Sequence, residues 1–443
     1  MRYQSIPWTS AALGAWLLLG LATSLLAEDW PQWMGPGRDN VWSAKGVLKK
    51  FPAAGLKVVW RAPVANGYAG PAVVGEFAYV TDFETEVDVK VSNFDRREMP
   101  GSERVHCLDA GTGQPLWSAE HAVTYAISYP SGPRCTPLVD GDRLYTLGAE
   151  GHLQCFERRT GDILWARELK QEYGTNSALW GYASHPLIDG NKLLCLAGGQ
   201  GTHAVALDKL TGQELWRYGT ASEQGYAPPK IIEAGGVRQL ILTSPDYVAA
   251  VDPESGKEYW KEEYGASSGS IIMTPVHAGN YLFVGGYSHR NLMLELDADR
   301  AAARPLFRDR PKLGVSPVNV QPFLQDDNLM IGIDQGGELM AVDIPSGERL
   351  WSTGQPLGKR PVGNGTAFIV KNGSRFLLFT EAGELVMANI TREGYQELDR
   401  TQVIQPTNNA FGRPVVWSAP AFAQGRMFVR NDEELLCIEL SDR

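Results

Sequence analysis

The nine residues Asp208-Lys-Leu-Thr-Gly-Gln-Glu-Leu-Trp216 belong to a pattern that occurs five times in this 443-residue chain, and no other feature restricts the fold as much. The other copies run from Asp109 to Trp117, Glu157 to Trp165, Asp252 to Trp260 and Asp343 to Trp351. Each reads acid, two residues, Thr or Ser, Gly (Gly113, Gly161, Gly212, Gly256, Gly347), three residues, Trp. An apolar, β-prone run precedes each acid, as in Ala204-Val-Ala-Leu207, and a short run ending in Trp follows each Gly. Two strands joined by a tight Gly-containing turn make a hairpin. Thr/Ser-Gly suits a type I turn followed by a left-handed residue, which glycine adopts without steric penalty. The acid is placed to accept hydrogen bonds from the turn amides. The Trp offers a large apolar face and one N–H, which suits docking between neighbouring repeats.

Repeat spacing sets the architecture. Trp117, Trp165, Trp216 and Trp260 are 48, 51 and 44 residues apart, and Trp351 follows after 91, or two repeats. The copy inside that interval is degraded around Glu295-Leu-Asp297 and Leu306-Phe307, and another degraded copy runs from Leu385 to Tyr395. Leu56-Lys-Val-Val-Trp60 is a Trp-ending strand with no hairpin partner upstream, while Leu435-Leu-Cys-Ile-Glu-Leu440 precedes Arg443 with no Trp strand after it. Pairing these two segments closes a ring and removes exposed sheet edges. Counting that closing unit gives eight. Roughly 45 residues and about four short strands per unit predict an all-β, eight-bladed propeller over 56–443, with the N-terminal strand completing the last blade. A hydrophilic insertion at 84–103 falls between the second and third strands of the first blade and reads as a surface loop. Residues 28–55, rich in Trp, Gly and Pro, read as an aromatic strap over the body.

Ala206-Leu-Asp-Lys-Leu-Thr-Gly-Gln-Glu-Leu-Trp216 and its sister copies resemble the pyrroloquinoline-quinone (PQQ) repeat. That repeat builds the eight-bladed quinoprotein dehydrogenases and the outer-membrane β-barrel assembly lipoprotein. Trp30 to Trp42 is similar to the aromatic Gly-Arg-Asp stretch before the first blade of such proteins. For the dehydrogenases, the resemblance implies a quinone and Ca²⁺ in the axial funnel, held by acidic and amide ligands and often by a vicinal disulfide. Here no two cysteines are adjacent, no Glu/Asn/Asp ligand set follows from the motifs, and the large decorations of the dehydrogenases are missing. The lipoprotein relatives carry a lipidated N-terminal Cys that this chain lacks. No cofactor is therefore expected, and PQQ with Ca²⁺ enters only through the resemblance.

Residues 1–27 carry Arg2, the apolar run Ala11 to Leu21 and small residues up to Ala27, the pattern of a secretory signal peptide. Periplasmic or secreted location follows. Removing that segment takes one Arg and no acid, so the formal charge goes from −10 to −11. An acidic surface without basic runs disfavours nucleic acid and anionic lipid. No stable membrane span is expected after cleavage, and a monomer is expected.

Cys107, Cys155 and Cys437 stand two residues before the motif acid (or its equivalent, Glu439), where other blades have Ala206, Ala250 and Ala341. Equivalent slots in different blades lie too far apart for disulfides. The seven histidines are scattered, with no i, i+4 pair and no His-Cys cluster, so no metal site is expected. Gly265-Ala-Ser-Ser-Gly269 matches Gly-x-Ser-x-Gly but lies between all-β blades, where the nucleophile elbow needs a strand-to-helix turn. Gly198-Gly-Gln-Gly-Thr-His203 precedes no helix and reads as a hairpin loop rather than a phosphate cradle.

The segments leading into the innermost strands are the informative non-repeat feature. They carry Tyr68, Arg134, Trp180, Tyr182, Tyr226, Asn319 and Trp417, and in a propeller they converge on one mouth of the central channel. Aromatic rings with one Arg and one amide suit a polar, flat or sugar-like ligand. The expected role is an exported, non-catalytic binding or scaffold module with a ligand or protein partner at that mouth. Two alternatives stay open: a PQQ- and Ca²⁺-dependent oxidoreductase with oxygen ligands near Arg134 and Asn319, and a cell-envelope or outer-membrane assembly partner.

Overall fold

Strand pairing groups the chain into eight antiparallel four-stranded sheets and one small hairpin, Asn408–Ala410 with Arg413–Val415. The computed structural model describes residues 28–90, 94–266, 271–325 and 327–442. The signal-peptide segment 1–27 lies outside the described residues, as do 267–269 of the Gly-x-Ser-x-Gly stretch. Blades 1 to 7 span residues 72–125, 138–168, 187–218, 230–263, 276–308, 323–353 and 367–402, each with its four strands side by side in chain order. Blade 8 joins 421–439 to the N-terminal strand Val58–Pro63, which pairs with Glu434–Glu439 in the outermost position. Most first strands are buried, and those of blades 1 and 2, 5 and 6, and 8 and 1 touch each other, whereas fourth strands largely alternate exposed and half-buried residues. The core therefore runs around the ring between sheets.

One joint recurs between blades. In every motif copy the Gly is left-handed, from φ 69° at Gly256 to φ 80° at Gly161. A Cβ there would press on the aromatic ring of the preceding blade: Trp60 against Gly113, Trp117 against Gly161, Trp165 against Gly212, Trp216 against Gly256. The indole N–H crosses the same seam, donating to Ala110 O from Trp60 (2.9 Å), Arg158 O from Trp117 (3.0 Å), Lys209 O from Trp165 (3.1 Å) and Pro253 O from Trp216 (3.2 Å). Trp351 likewise reaches Thr391 O at 3.0 Å. The acids hold the turns: Asp109 accepts from Gly111 N (3.0 Å) and Thr112 N (2.8 Å), and Glu157, Asp208, Asp252 and Asp343 bond their turns in the same way.

The small residue two before the acid sits directly across from the Trp, as in Cys107↔Trp117, Cys155↔Trp165, Ala206↔Trp216, Ala250↔Trp260, Ala341↔Trp351 and Cys437↔Trp60. A bulge follows at each of these pairs. All six small residues are fully buried, so a large side chain there would displace the indole. The five cysteines are free and buried.

The degraded blades depart from this scheme. In blade 5 the bulge shifts to Met293/Leu294, and Phe307 takes the aromatic role against Gly347. Without a matching turn to meet, Trp260 donates within its own blade to Gln239 Oε1 at 2.8 Å. In blade 7 Asp399 stands in the Trp position opposite Met387 and accepts from Phe51 N of the strap.

Two regions carry more structure than the sequence reading gave them. Residues Met99–Glu103 of the insertion are strand, Ser102 pairing back to Glu84 and Met99 reaching Tyr125 on the fourth strand, so the loop proper is shorter and blade 1 carries an outsized hairpin. The strap does more than lie over the body. Trp30 pairs with Val73 in blade 1, Trp42 is fully buried, and Arg38 drives its guanidinium to the axis, bonding Pro186 O (2.8 Å), His185 O (3.3 Å) and Pro229 O (3.3 Å). Among the described residues the sole α-helix is Leu169–Tyr173, and no helix is long and apolar enough to cross a membrane.

Candidate functional site

Each first strand is preceded by a segment that drops toward the axis, and the side chains on these segments enclose a cavity of about 720 Å³. Tyr68, Arg134, Trp180, Tyr226, Asn319 and Trp417 all line it, together with Ala183. Tyr182 does not. Its ring packs on Gly151 inside the blade 2–3 seam and its hydroxyl donates to Ala197 O at 3.0 Å, so the neighbouring Trp180 faces the cavity instead.

The walls are aromatic and arranged in two groups. Trp417 is met by Tyr68, Tyr129 and Phe411 at ring separations of 6.4, 5.6 and 6.0 Å. Trp180 is met by Tyr226 at 5.1 Å and by Phe94 at 6.5 Å. The floor belongs to the strap: Trp33 stacks on His185 at 4.2 Å and 24°, meets Phe368 edge-on, and donates its N–H to Thr274 Oγ1 at 2.9 Å. Arg38 lies beneath His185, so the strap plugs the lower end of the channel.

Several wall residues are held in uncommon backbone. Phe94 (φ 73°), Tyr129 (φ 51°) and Phe411 (φ 51°) are left-handed, as are Ser288 and Asn364 on the same wall. Bulky side chains pay a steric cost in this region, and such strain concentrates where loops are shaped for binding or catalysis.

Charge is scarce here. No carboxylate is found among the described lining residues, and Arg134 is the one permanent cation. Its guanidinium is already engaged, donating to Gly132 O, Ser128 O (2.9 Å) and Tyr129 O (2.6 Å) while lying 5.2 Å over the Tyr68 ring. Arg134 therefore braces its loop rather than offering a free fork to an anion. Burial raises the Tyr68 hydroxyl and pushes Tyr129 up to about 12, while burial, helped by Arg38, drives His185 well below its ordinary value. All three are neutral at pH 7. Unpartnered buried polar atoms remain on the walls: Trp180 Nε1, Asn319 Oδ1 and both His185 nitrogens. Such atoms require a partner, and a bound molecule or water supplies one.

The sequence did not point to Trp33, Phe94, Tyr129, Tyr287 or Phe411. Trp33 stood in plain view in Trp30-Pro-Gln-Trp33, but its partners are more than 150 residues away. A second cavity, about 880 Å³, lies at the other end between the strap and blades 4 to 7, lined by Lys45, Lys49, Lys230, Lys371 and Arg375 among others. Lys230 and Arg375 already bond strap carbonyls, Arg38 O and Leu48 O, and Lys371 bonds Gln325. That cleft is a seam between strap and ring, so the aromatic funnel is the better candidate.

Comparison with known proteins places the chain. The profile of the family described as outer membrane protein assembly factor BamB matches residues 101–304 and 244–442. The BamB of Kangiella koreensis is 26% identical over 175 residues, 38% of this chain, and the match spans only 42% of that relative's length. The crystal structure of BamB from Moraxella catarrhalis superposes with a TM-score of 0.55 at 16% identity, covering 87% of this chain and 97% of the other. The quinohemoprotein alcohol dehydrogenase of Comamonas testosteroni gives 0.61 at 12% identity, covering 94% and 81%. At these identities the superpositions establish a shared eight-bladed fold, while the profile covers most of the chain. The chain belongs to the PQQ-repeat β-propeller family described as outer membrane protein assembly factor BamB.

Proposed function

We propose that this propeller is a non-catalytic binding module of the cell envelope whose aromatic funnel takes an uncharged, ring-bearing ligand of sugar-like chemistry. The observation that carries this reading is the wall itself, where three bulky aromatic residues, Phe94, Tyr129 and Phe411, are held left-handed around a cavity with no carboxylate among its described lining residues. Flat rings stack on sugar faces, and Trp180 Nε1 and Asn319 Oδ1 supply a donor and an acceptor without partners. A quinone held by Ca²⁺ fits these residues poorly. Ca²⁺ takes six to eight oxygen ligands, usually with carboxylates among them, and the described wall offers none. The quinone's acid groups would meet only Arg134, already bonded to three carbonyls.

The test is titration with a panel of neutral oligosaccharides, followed by tryptophan fluorescence. Saturable binding is expected, weakened about five- to tenfold in Trp180→Ala or Trp417→Ala, since each stacked ring is worth about 1–1.4 kcal/mol. Binding that is indifferent to both substitutions contradicts the reading.

A second reading, docking of an envelope assembly partner on the outer circumference, is favoured by a separate observation. The residue before each motif Trp is an exposed apolar side chain: Leu116, Leu164, Leu215, Tyr259 and Leu350. Serine at Leu116, Leu164 and Leu215 would abolish such docking and leave funnel binding intact.

A further inference from the structure

The outsized hairpin of blade 1 brings together three residues far apart in sequence. Glu103 and His121 face each other across its third and fourth strands, and His152 opens the third strand of blade 2, opposite Glu168. His121 Nε2 lies 3.5 Å from Glu103 Oε2, and the two imidazole rings are 4.5 Å apart. One donor atom from each of the three falls within 4.8 Å of the other two.

Glu103 is buried, with a side-chain exposure of 4%, and among the described residues no Lys or Arg pairs with it. Its Oε1 accepts from Tyr125 Oη (2.5 Å) and Ala149 N (2.8 Å), which fixes the carboxylate and leaves Oε2 toward His121. A Cβ on Gly148 would collide with that same Oε2, so the pocket around it is tight. His152 Nε2 lies 3.1 Å from Glu168 Oε2, and His152 Nδ1 is buried without a partner, as is His121 Nε2. A buried carboxylate with no cation beside two imidazole nitrogens that bond nothing is a costly arrangement.

We propose that Glu103, His121 and His152 bind a borderline divalent metal ion of the Zn²⁺ class, which clamps blade 1 to blade 2. Two imidazoles and one carboxylate are a known zinc donor set, and three protein ligands leave the fourth position to water. The histidine side chains are 22% and 20% exposed, so the cluster lies near the surface although the nitrogens aimed into it are buried. The Glu168–His152 contact is the outer-shell arrangement that sets a ligating imidazole's tautomer, and Tyr125 and Ala149 orient Glu103 in the same way. Tetrahedral ligands about 2.0–2.1 Å from zinc lie roughly 3.3 Å apart. The 4.8 Å spread therefore closes by small rotations of exposed-edge imidazoles.

The test titrates the purified protein with Zn²⁺ by calorimetry and with Co²⁺ by visible absorption. One ion per chain is expected, with Co²⁺ bands of a four- or five-coordinate site. His121→Gln or His152→Gln should weaken binding by at least about 100-fold and Glu168→Gln by about 10-fold, the outer-shell scale, while His277→Gln in blade 5 should change nothing. Independently of any variant, bound Zn²⁺ should protect His121 and His152 alone from diethyl pyrocarbonate. No uptake at free Zn²⁺ of about 100 times a micromolar dissociation constant, uptake retained in the double His→Gln variant, or no protection of these two histidines would overturn the proposal.

Discussion

His203 shows how much a single buried side chain can contribute to the pH dependence of a ring this size. It is fully buried in blade 3, Tyr247 Oη lies 2.7 Å from its Nδ1, and Gln224 O lies 3.2 Å from its Nε2. The tautomer that satisfies both has Nε2 protonated and Nδ1 accepting. Burial, only partly opposed by Gln224 O, holds its pKa down to about 4. An unfolded histidine titrates near 6.5, so the folded state resists a proton that the unfolded state accepts. His203 thus contributes full stability above pH 6.5, and loses it progressively as pH falls from 6.5 to about 4. A 2.5-unit difference (6.5 minus 4) corresponds to roughly 3 kcal/mol. The urea midpoint should fall measurably between pH 7.5 and pH 5, and His203→Gln, which can keep both bonds, should flatten that slope. An unchanged wild-type midpoint over this range would contradict the assignment. At still lower pH the Asp82 carboxyl adds to the loss. Burial pushes it up, but hydrogen bonds from His106 and Arg104 overcome that and hold it well below the usual carboxylate range. Its stabilising contribution is present above pH ~4 and is lost on acidification below that.

At the scale of elements, the ring is closed by one short strand. Val58–Pro63 completes blade 8, and Trp60 then joins blade 1 through Ala110 O and Gly113. Arg430, fully buried in blade 8, adds bonds to Thr81 O and Ala65 O on the same seam. Trp60→Ala removes a nearly buried indole and leaves the Ala110 carbonyl without its donor, a loss of about 3–5 kcal/mol on the scale of core aromatic truncations. Chemical denaturation of Trp60→Ala beside Trp260→Ala tests the closure. Trp260 bonds only within its own blade, so its loss should cost clearly less, and equal losses would argue against the seam as the weak point. This closure was legible because a Trp strand without a start and a start without a Trp strand were both visible. The two joints that differ from the rest were less legible. In blade 5 the bulge moves two residues and Phe307 replaces the indole, and in blade 7 an acid, Asp399, holds the Trp position to receive the strap.

At the scale of the molecule, the repeat tells where the funnel lies but not what encloses it. Six of the seven side chains placed at the channel mouth do line one cavity, and five of them, all but Trp180, share a fixed offset of four residues from the first strand of their blade. Tyr182 breaks the pattern, since one residue of phase turns it into the blade seam. Phe94, Tyr129 and Phe411 come from loops of irregular conformation, and Trp33 and Arg38 from a strap that threads under the axis, so no repeat offset could reveal them. The metal-ligating cluster escaped for a related reason: its pairing rests on the register of an enlarged hairpin that reads as a loop in sequence. What the assembled molecule presents is an aromatic funnel whose described lining holds no carboxylate and one cation, the loop-bracing Arg134, on a fold shared with quinone-dependent dehydrogenases. The most direct test of a binding rather than catalytic role is titration with PQQ and Ca²⁺, following tryptophan fluorescence and dye-linked oxidation of alcohols and sugars. The account predicts no saturable fluorescence change at micromolar cofactor and no dye reduction, whereas saturable binding accompanied by turnover would contradict it.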